Sequence, residues 1–196
     1  TNPNGLALHN TISVTRRNVT IVGTGKDTTT ILGGFGIHEQ ENITFKNMTV
    51  TNTGGYIGCG IRMSNAKVEL IDVAFKGCDG AAFYIPRTAS ATTAVVATRC
   101  EFANSLVGAF VSGSLTSATF NNCVFNDNEY EGIFSSQSTI HLHGEATAVH
   151  SNGDIGIAAI SSGKVIIHLP SHHNTTYNNR QDRFTNGGGT ITNVED

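Results

Sequence analysis

Arg62, Tyr84 and Arg87 bring guanidinium and ring chemistry into one short part of this chain. Such groups can hold an acidic sugar through charge-assisted hydrogen bonds and stacking on the ring face, but an ordinary solvated strand edge carries the same residues and is the favoured reading. Carboxylates follow at Asp79, Asp127, Glu129, Glu131 and Asp154, with Tyr130 among them. If stacked, they could bind calcium or serve as general acid and base. Asn and Asp also occupy corners for a plainer reason, because their side chains bond turn backbone. His141, His143 and His168 offer imidazoles of the type that hold transition metals. Four cysteines, Cys59, Cys78, Cys100 and Cys123, complete the set. Arg62, Tyr84, Arg87, Asp127, Glu129 and Tyr130 are the substrate-binding candidates, and no catalytic set can be named.

Whether any of these residues meet depends on the elements that carry them, and those elements repeat. The run Ser117 to Gln137 contains an alternating stretch (Ala118, Phe120), a kink at Asn121 and Asn122, a second alternation (Cys123, Phe125) and a polar turn. Gly132 then opens a third apolar run. Alternation of period two is the mark of a half-buried strand. Aligning the first apolar residue of each unit gives Val19, Ile43, Val68, Val95, Ala118, Ile140, Val165 and Ile191, spaced 22 to 27 residues apart. A second column, two positions on, runs Ile21, Phe45, Leu70, Ala97, Phe120, Leu142, Ile167. A third is headed by small residues, Gly36, Gly60, Ala82, Gly108, Gly132 and Gly156. One such unit cannot bury its own apolar face, so it must stack on copies of itself. The fold class is therefore all-β, a right-handed parallel β-helix of about eight three-stranded coils, with equivalent residues about 4.8 Å apart. A sandwich of hairpins would need Asn-Gly or Asp-Gly turns between strands, and few are present.

The stacking decides what the candidate residues can do. His143 and His168 fall one coil apart with His141 beside them, but a metal would want a third ligand from the next coil, which offers none. The favoured reading is a solvated histidine ladder, and no metal site is assigned. His172 and His173, in a polar loop after Pro170, read as exposed. Thr20, Thr44 and Thr119 share an outward column, but Glu69, Val96 and His141 interrupt the flat array that ice binding would need. Cys100 and Cys123 share an inward position within disulfide range, where a free thiol pair fits as well as a bridge. A bridge between Cys59 and Cys78 could pin the extra residues Gly54 to Gly58. Asn18, Asn42, Asn47 and Asn174 begin glycosylation sequons, about as many as chance supplies in so polar a chain.

Composition excludes several classes. Charged residues make up 14% and the net charge is -3, so the basic face of a nucleic-acid binder is lacking. No apolar stretch approaches a bilayer span. The 22 glycines and absence of Trp suit a chain with a corner every few residues. No charged region followed by an apolar run opens the sequence, so any signal peptide is expected to have been removed or never to have existed. Residues 1–196 read as a single β-helix domain. Residues 1–15 form a lead-in or cap, and 174–196 form a polar loop and end coil in which Arg180, Asp182 and Arg183 pair with one another. A solenoid end is an open sheet edge. With no capping helix before Val19, either residues 1–15 cap it or the chain is a piece of a longer precursor.

The stretch Asn18-Val-Thr-Ile-Val-Gly-Thr-Gly-Lys-Asp-Thr-Thr-Thr-Ile-Leu-Gly-Gly34 resembles the first complete coil of pectin methylesterases and other members of the pectate-lyase-like superfamily. The resemblance covers about 30 residues closely and the remainder as generic repeats. It implies a right-handed parallel β-helix, commonly action on acidic polysaccharides, and a secreted or cell-surface location. Its Gly-x-Gly-x-Asp turn runs back into strand, so it is not a phosphate cradle at a helix N-terminus. The family's catalytic motifs have no counterpart here: neither the paired aspartates of the esterases in GxxDFIFG nor the aspartate cluster with which the lyases hold calcium. The alginate-active members gather a Tyr, a His and aspartates on one face, and Tyr130, His150 and Asp154 could be placed so here, although no motif requires it.

Two functions remain open. One is a non-catalytic rod that supports assembly or binds carbohydrate, with self-association through coil ends as a further possibility. The other is an enzyme on acidic polysaccharide, a lyase, esterase, hydrolase or epimerase. Scattered carboxylates favour the first. No cofactor is read beyond the calcium that stacked carboxylates could take.

Overall fold

A computed structural model describes residues 11–55, 58–88, 90–169 and 175–195. Every regular element among them is a β-strand, and every strand pairing is parallel. Among the described residues no helix is long and apolar enough to cross a membrane.

The chain winds as a solenoid of about seven turns. One sheet of eight strands forms one face, running from Thr11–Val14 to Gln181–Asn186. A thirteen-stranded sheet covers the other two faces, bent at a corner that the long strands Ile43–Thr51 and Lys67–Lys76 cross without a break. The expected first column is the observed register: Val19 on Ile43, then Val68, Val95, Ala118, Ile140, Val165 and Ile191. The count of coils is smaller than the eight expected, because the third face starts only at Thr30–Leu32 and ends at Thr176–Tyr177.

Inward positions pack an apolar core in which ring stacking follows from the coil spacing. Phe102 lies between Phe75 (centroids 5.5 Å apart, 13°) and Phe125 (4.8 Å, 8°). Phe83 and Phe120 meet its edges. All five are fully buried.

Corners rest on two devices. The first is positive φ. Asn47, Asp72, Arg99 and Asn122 sit at equivalent positions with φ between 51° and 55°. Asn104, Asp127, Ser151 and Asn178 form a second such column. Asn and Asp tolerate this region best, which accounts for their abundance. The second device is a buried amide ladder. Asn152 Oδ1 accepts from the backbone N–H and from Nδ2 of Asn128, at 3.2 and 2.9 Å. Asn179 Oδ1 does the same for Asn152, at 3.0 and 2.8 Å. Coil by coil, the ladder satisfies turn backbone that water cannot reach.

Three expectations are corrected. Gly36 does not head the third column: Phe35 pairs with Ile61, so Gly34 aligns with Gly60 and Gly36 with Arg62. The reason is steric. A Cβ on Gly34 would lie 2.1 Å from the Cys59 carbonyl oxygen, whereas one on Gly36 would meet nothing closer than 3.4 Å. Gln181–Asn186 is a strand, not a loop, and its charges pair elsewhere. Arg180 faces Asp154 at 3.6 Å, Asp182 Oδ1 accepts from Asn179 Nδ2, and Arg183 reaches Asn193. Finally, Thr11–Val14 at the end of the expected lead-in is itself a strand of the first sheet, paired with Gly34–Ile37.

Of the sequon asparagines, Asn18, Asn42 and Asn47 all have positive φ at corners, and Asn42 Nδ2 donates to Asn18 Oδ1 at 2.8 Å. Asn174, with His172 and His173, lies outside the described residues. The four cysteines are free and buried. Cys100 and Cys123 share the expected inward position, and their thiols donate to the Thr98 and Asn121 carbonyls at 3.4 Å.

Candidate functional site

The position two after the glycine column points out of the eight-stranded sheet, and strand register stacks it coil on coil. Reading along the rod it holds Gly36, Arg62, Tyr84, Phe110, Phe134, Ala158 and Phe184. Parallel pairing brings the rings into contact coil on coil, Phe134 nearly parallel to Phe110 and Tyr84 tilted by 32° to it. Arg62 Cζ sits 4.9 Å from the Tyr84 ring centroid, Tyr84 is 5.1 Å from Phe110, and Phe110 is 4.6 Å from Phe134 at 11°. A guanidinium over a ring face is a cation–π contact, which leaves its outer donors for a ligand.

Corner residues raise a wall beside this stack. Tyr130 and Glu131 stand at the turn before Ile133–Ser136, and with Leu106 and Cys59 they turn the flat sheet into a groove of about 430 Å³. Its walls are mainly apolar, and Arg62 and Glu131 are the charged residues that line it. Burial raises the Glu131 carboxyl above the ordinary Glu range, and the nearby negative charge of Asp154 adds to the effect. Burial also pushes up the Cys59 thiol. That thiol is therefore a poor nucleophile at neutral pH.

The structure brings Arg62, Tyr84 and Tyr130 together in one groove. Arg87, Asp127 and Glu129 do not line it. Arg87 lies beyond Pro86 in the turn that follows Ala81–Ile85. Asp127 is a positive-φ corner residue bonded to the Asn126 amide, and Glu129 is exposed. The other acidic corners are also separately engaged. Asp79 accepts from the Gly55 N–H at 2.9 Å, and Asp154 faces Arg180. Among the described residues no three carboxylates converge on one point; the group of three close metal-ligating side chains is His141, His143 and His168.

Among the groove residues outside the substrate-binding candidates are Phe110, Phe134 and Glu131, the last singled out in the sequence only as a corner carboxylate. The signal for the two phenylalanines was present. Each is the second residue after a column glycine, as Arg62 is after Gly60. Glu131 is one of the corner carboxylates, but its place in the groove has no register signal, because it stands in a turn whose path the repeats do not specify.

The sequence pattern of the family described as right handed beta helix region matches residues 2–146, well over half of the chain. The chain belongs to this family. None of the curated proteins compared with it matches. Membership in the right-handed β-helix family agrees with the superfamily resemblance of the first coil at the level of fold. It leaves activity open, because one fold hosts many functions.

Proposed function

We propose that this β-helix is a carbohydrate-binding module that takes an extended acidic polysaccharide along the groove of the eight-stranded sheet. The observation that carries the reading is the continuous outward stack of Arg62, Tyr84, Phe110 and Phe134 inside a walled groove. Ring faces receive the apolar C–H faces of sugar rings, and the guanidinium receives a carboxylate. Glu131 offers a polar partner for hydroxyl groups. One carboxyl in the lining is a reason to prefer binding over glycoside hydrolysis, which ordinarily uses a pair of carboxylates. Acidic polysaccharides are met outside cells, so the reading includes a secreted or cell-surface location.

Calorimetry with oligogalacturonate, alginate oligomers and a neutral glucan oligomer tests this. An acidic oligomer should bind one to one. Phe134→Ala should weaken it roughly tenfold, the upper range of one ring contact, and Arg62→Ala should remove the preference for acidic over neutral chains. Equal affinity in wild type and both variants, or no binding to any oligomer, would refute the reading.

A second reading is supported by the raised Glu131 carboxyl. A proton held to higher pH in an apolar groove is what a general acid needs. Incubation with the same polymers, scored for reducing ends, unsaturated ends, released methanol and epimerised product, separates the two. Turnover abolished by Glu131→Gln would make the module an enzyme.

A further inference from the structure

The opposite side of the rod carries a different constellation. His141 and His143 project outward from the strand Thr139–His143, and His168 projects from the next coil, in Lys164–Leu169. His143 and His168 share one outward column, so their rings stack with centroids 3.8 Å apart at 17°. His141, two residues along the same strand, turns across the gap and places Nδ1 3.0 Å from His168 Nε2. One ligand atom from each imidazole lies within 4.8 Å of the other two, and all three residues are half-buried. The third ligand, sought on the following coil, comes instead from the strand that already supplies one.

We propose that His141, His143 and His168 form a binding site for a divalent transition metal of the Zn²⁺ type, on the outer face of the thirteen-stranded sheet. The geometry is close to what such an ion requires. Zn–N bonds of about 2.0–2.1 Å at tetrahedral angles set ligand nitrogens about 3.3 Å apart. The His141 to His168 separation is already near that value. Bringing in the His143 nitrogen requires its ring to turn out of the stack, and the 4.8 Å limit keeps the shift of its tip to about 1.5 Å. Three imidazoles and no carboxylate make up the set, a combination that suits Zn²⁺, Cu²⁺ and Ni²⁺ over Ca²⁺ or Mg²⁺. The ion would replace the hydrogen bond between His141 and His168. Three protein ligands leave a fourth position for water or a ligand atom from a partner.

The test uses the full chain, stripped with chelator and titrated calorimetrically with Zn²⁺ near neutral pH, with Co²⁺ absorption as a second readout. One equivalent should bind, and Co²⁺ should give the intense visible bands of a four-coordinate site. His143→Gln and His168→Gln should each weaken binding by more than the 10- to 100-fold that loss of an outer-shell partner costs. Their unfolding midpoints should stay near wild type without metal, because both side chains face outward. The separate changes His38→Ala and His150→Ala should leave binding in place. No stoichiometric Zn²⁺ binding at millimolar metal would overturn the proposal. So would affinity unchanged in both Gln variants, or affinity lost only in a control variant.

Discussion

Replacing Phe102 by Ala removes the centre of the core. The side chain is fully buried, stacked between Phe75 and Phe125, with Phe83 and Phe120 at its edges. Truncating a buried Phe to Ala costs about 3–5 kcal/mol in transfer and cavity terms. Ring contacts add about 0.5–1.5 kcal/mol for a well-formed pair, and this ring makes four. Neighbours held on a parallel-strand lattice cannot collapse far into the void, so the loss should lie at the upper end, about 5 kcal/mol. In a chain of this length that lowers the thermal midpoint by roughly 10–20 °C. Equilibrium unfolding in urea, followed by far-UV circular dichroism, measures it, with the outward-facing Tyr84→Ala as the reference. A repeat solenoid can lose central coils before its ends, so a broadened or split transition is also expected. A loss below about 2 kcal/mol, or one no larger than that of Tyr84→Ala, would refute the account of the core as a rigid ring stack.

Three further outcomes follow from the same structure. Gly34→Ala forces a Cβ against the Cys59 carbonyl and should cost several times as much as Gly36→Ala, which has room; chemical denaturation compares them, and equal losses would return the column to Gly36. Asp72 is held below the usual carboxylate range by hydrogen bonds from Arg99 Nε and Nη2 at 2.8 and 2.6 Å. Its contribution is present above the unfolded value of about 3.9 and is lost as pH falls through the lower folded value, so Asp72→Asn should destabilise at neutral pH and converge with wild type in acid. Glu131 has the opposite sign: its folded pKa is raised, so its contribution is complete in acid and lost as pH rises through the folded value. Glu131→Gln should therefore match wild type near pH 4 and melt higher at neutral pH, and a pH-independent difference would show that burial is not the cause.

Period-two alternation and recurring apolar residues made the fold legible, because a coil that cannot bury its own face must stack. The first column is legible from Val19 through Ile191 because an apolar residue, small Ala118 included, marks the same position in every coil. The glycine column slipped at Gly34 and Gly36, where two candidate glycines lay two apart and only the approach of a neighbouring carbonyl told them apart. The site was half legible. Arg62 and Tyr84 emerged from alternation, and Phe110 and Phe134 obey the same rule. Tyr130 and Glu131 reach the groove through the path of a turn. Register alone stacks His143 on His168 with His141 beside them, as the repeat spacing predicts; the turn of His141 across the strand spacing and the path that carries Glu131 into the groove have no period and do not show in the sequence.

The aromatic lining of the groove gives the molecule its own optical probe. The chain has no Trp and four Tyr, so tyrosine supplies its intrinsic emission, and Tyr84 and Tyr130 both line the groove. Tyr84 lies beneath a guanidinium and beside Phe110. A chain of sugars settling there would displace water from both phenol rings and change their quantum yield. Occupancy can thus be followed in the unlabelled protein, with Tyr84→Phe and Tyr130→Phe dividing the signal between the floor of the groove and its wall.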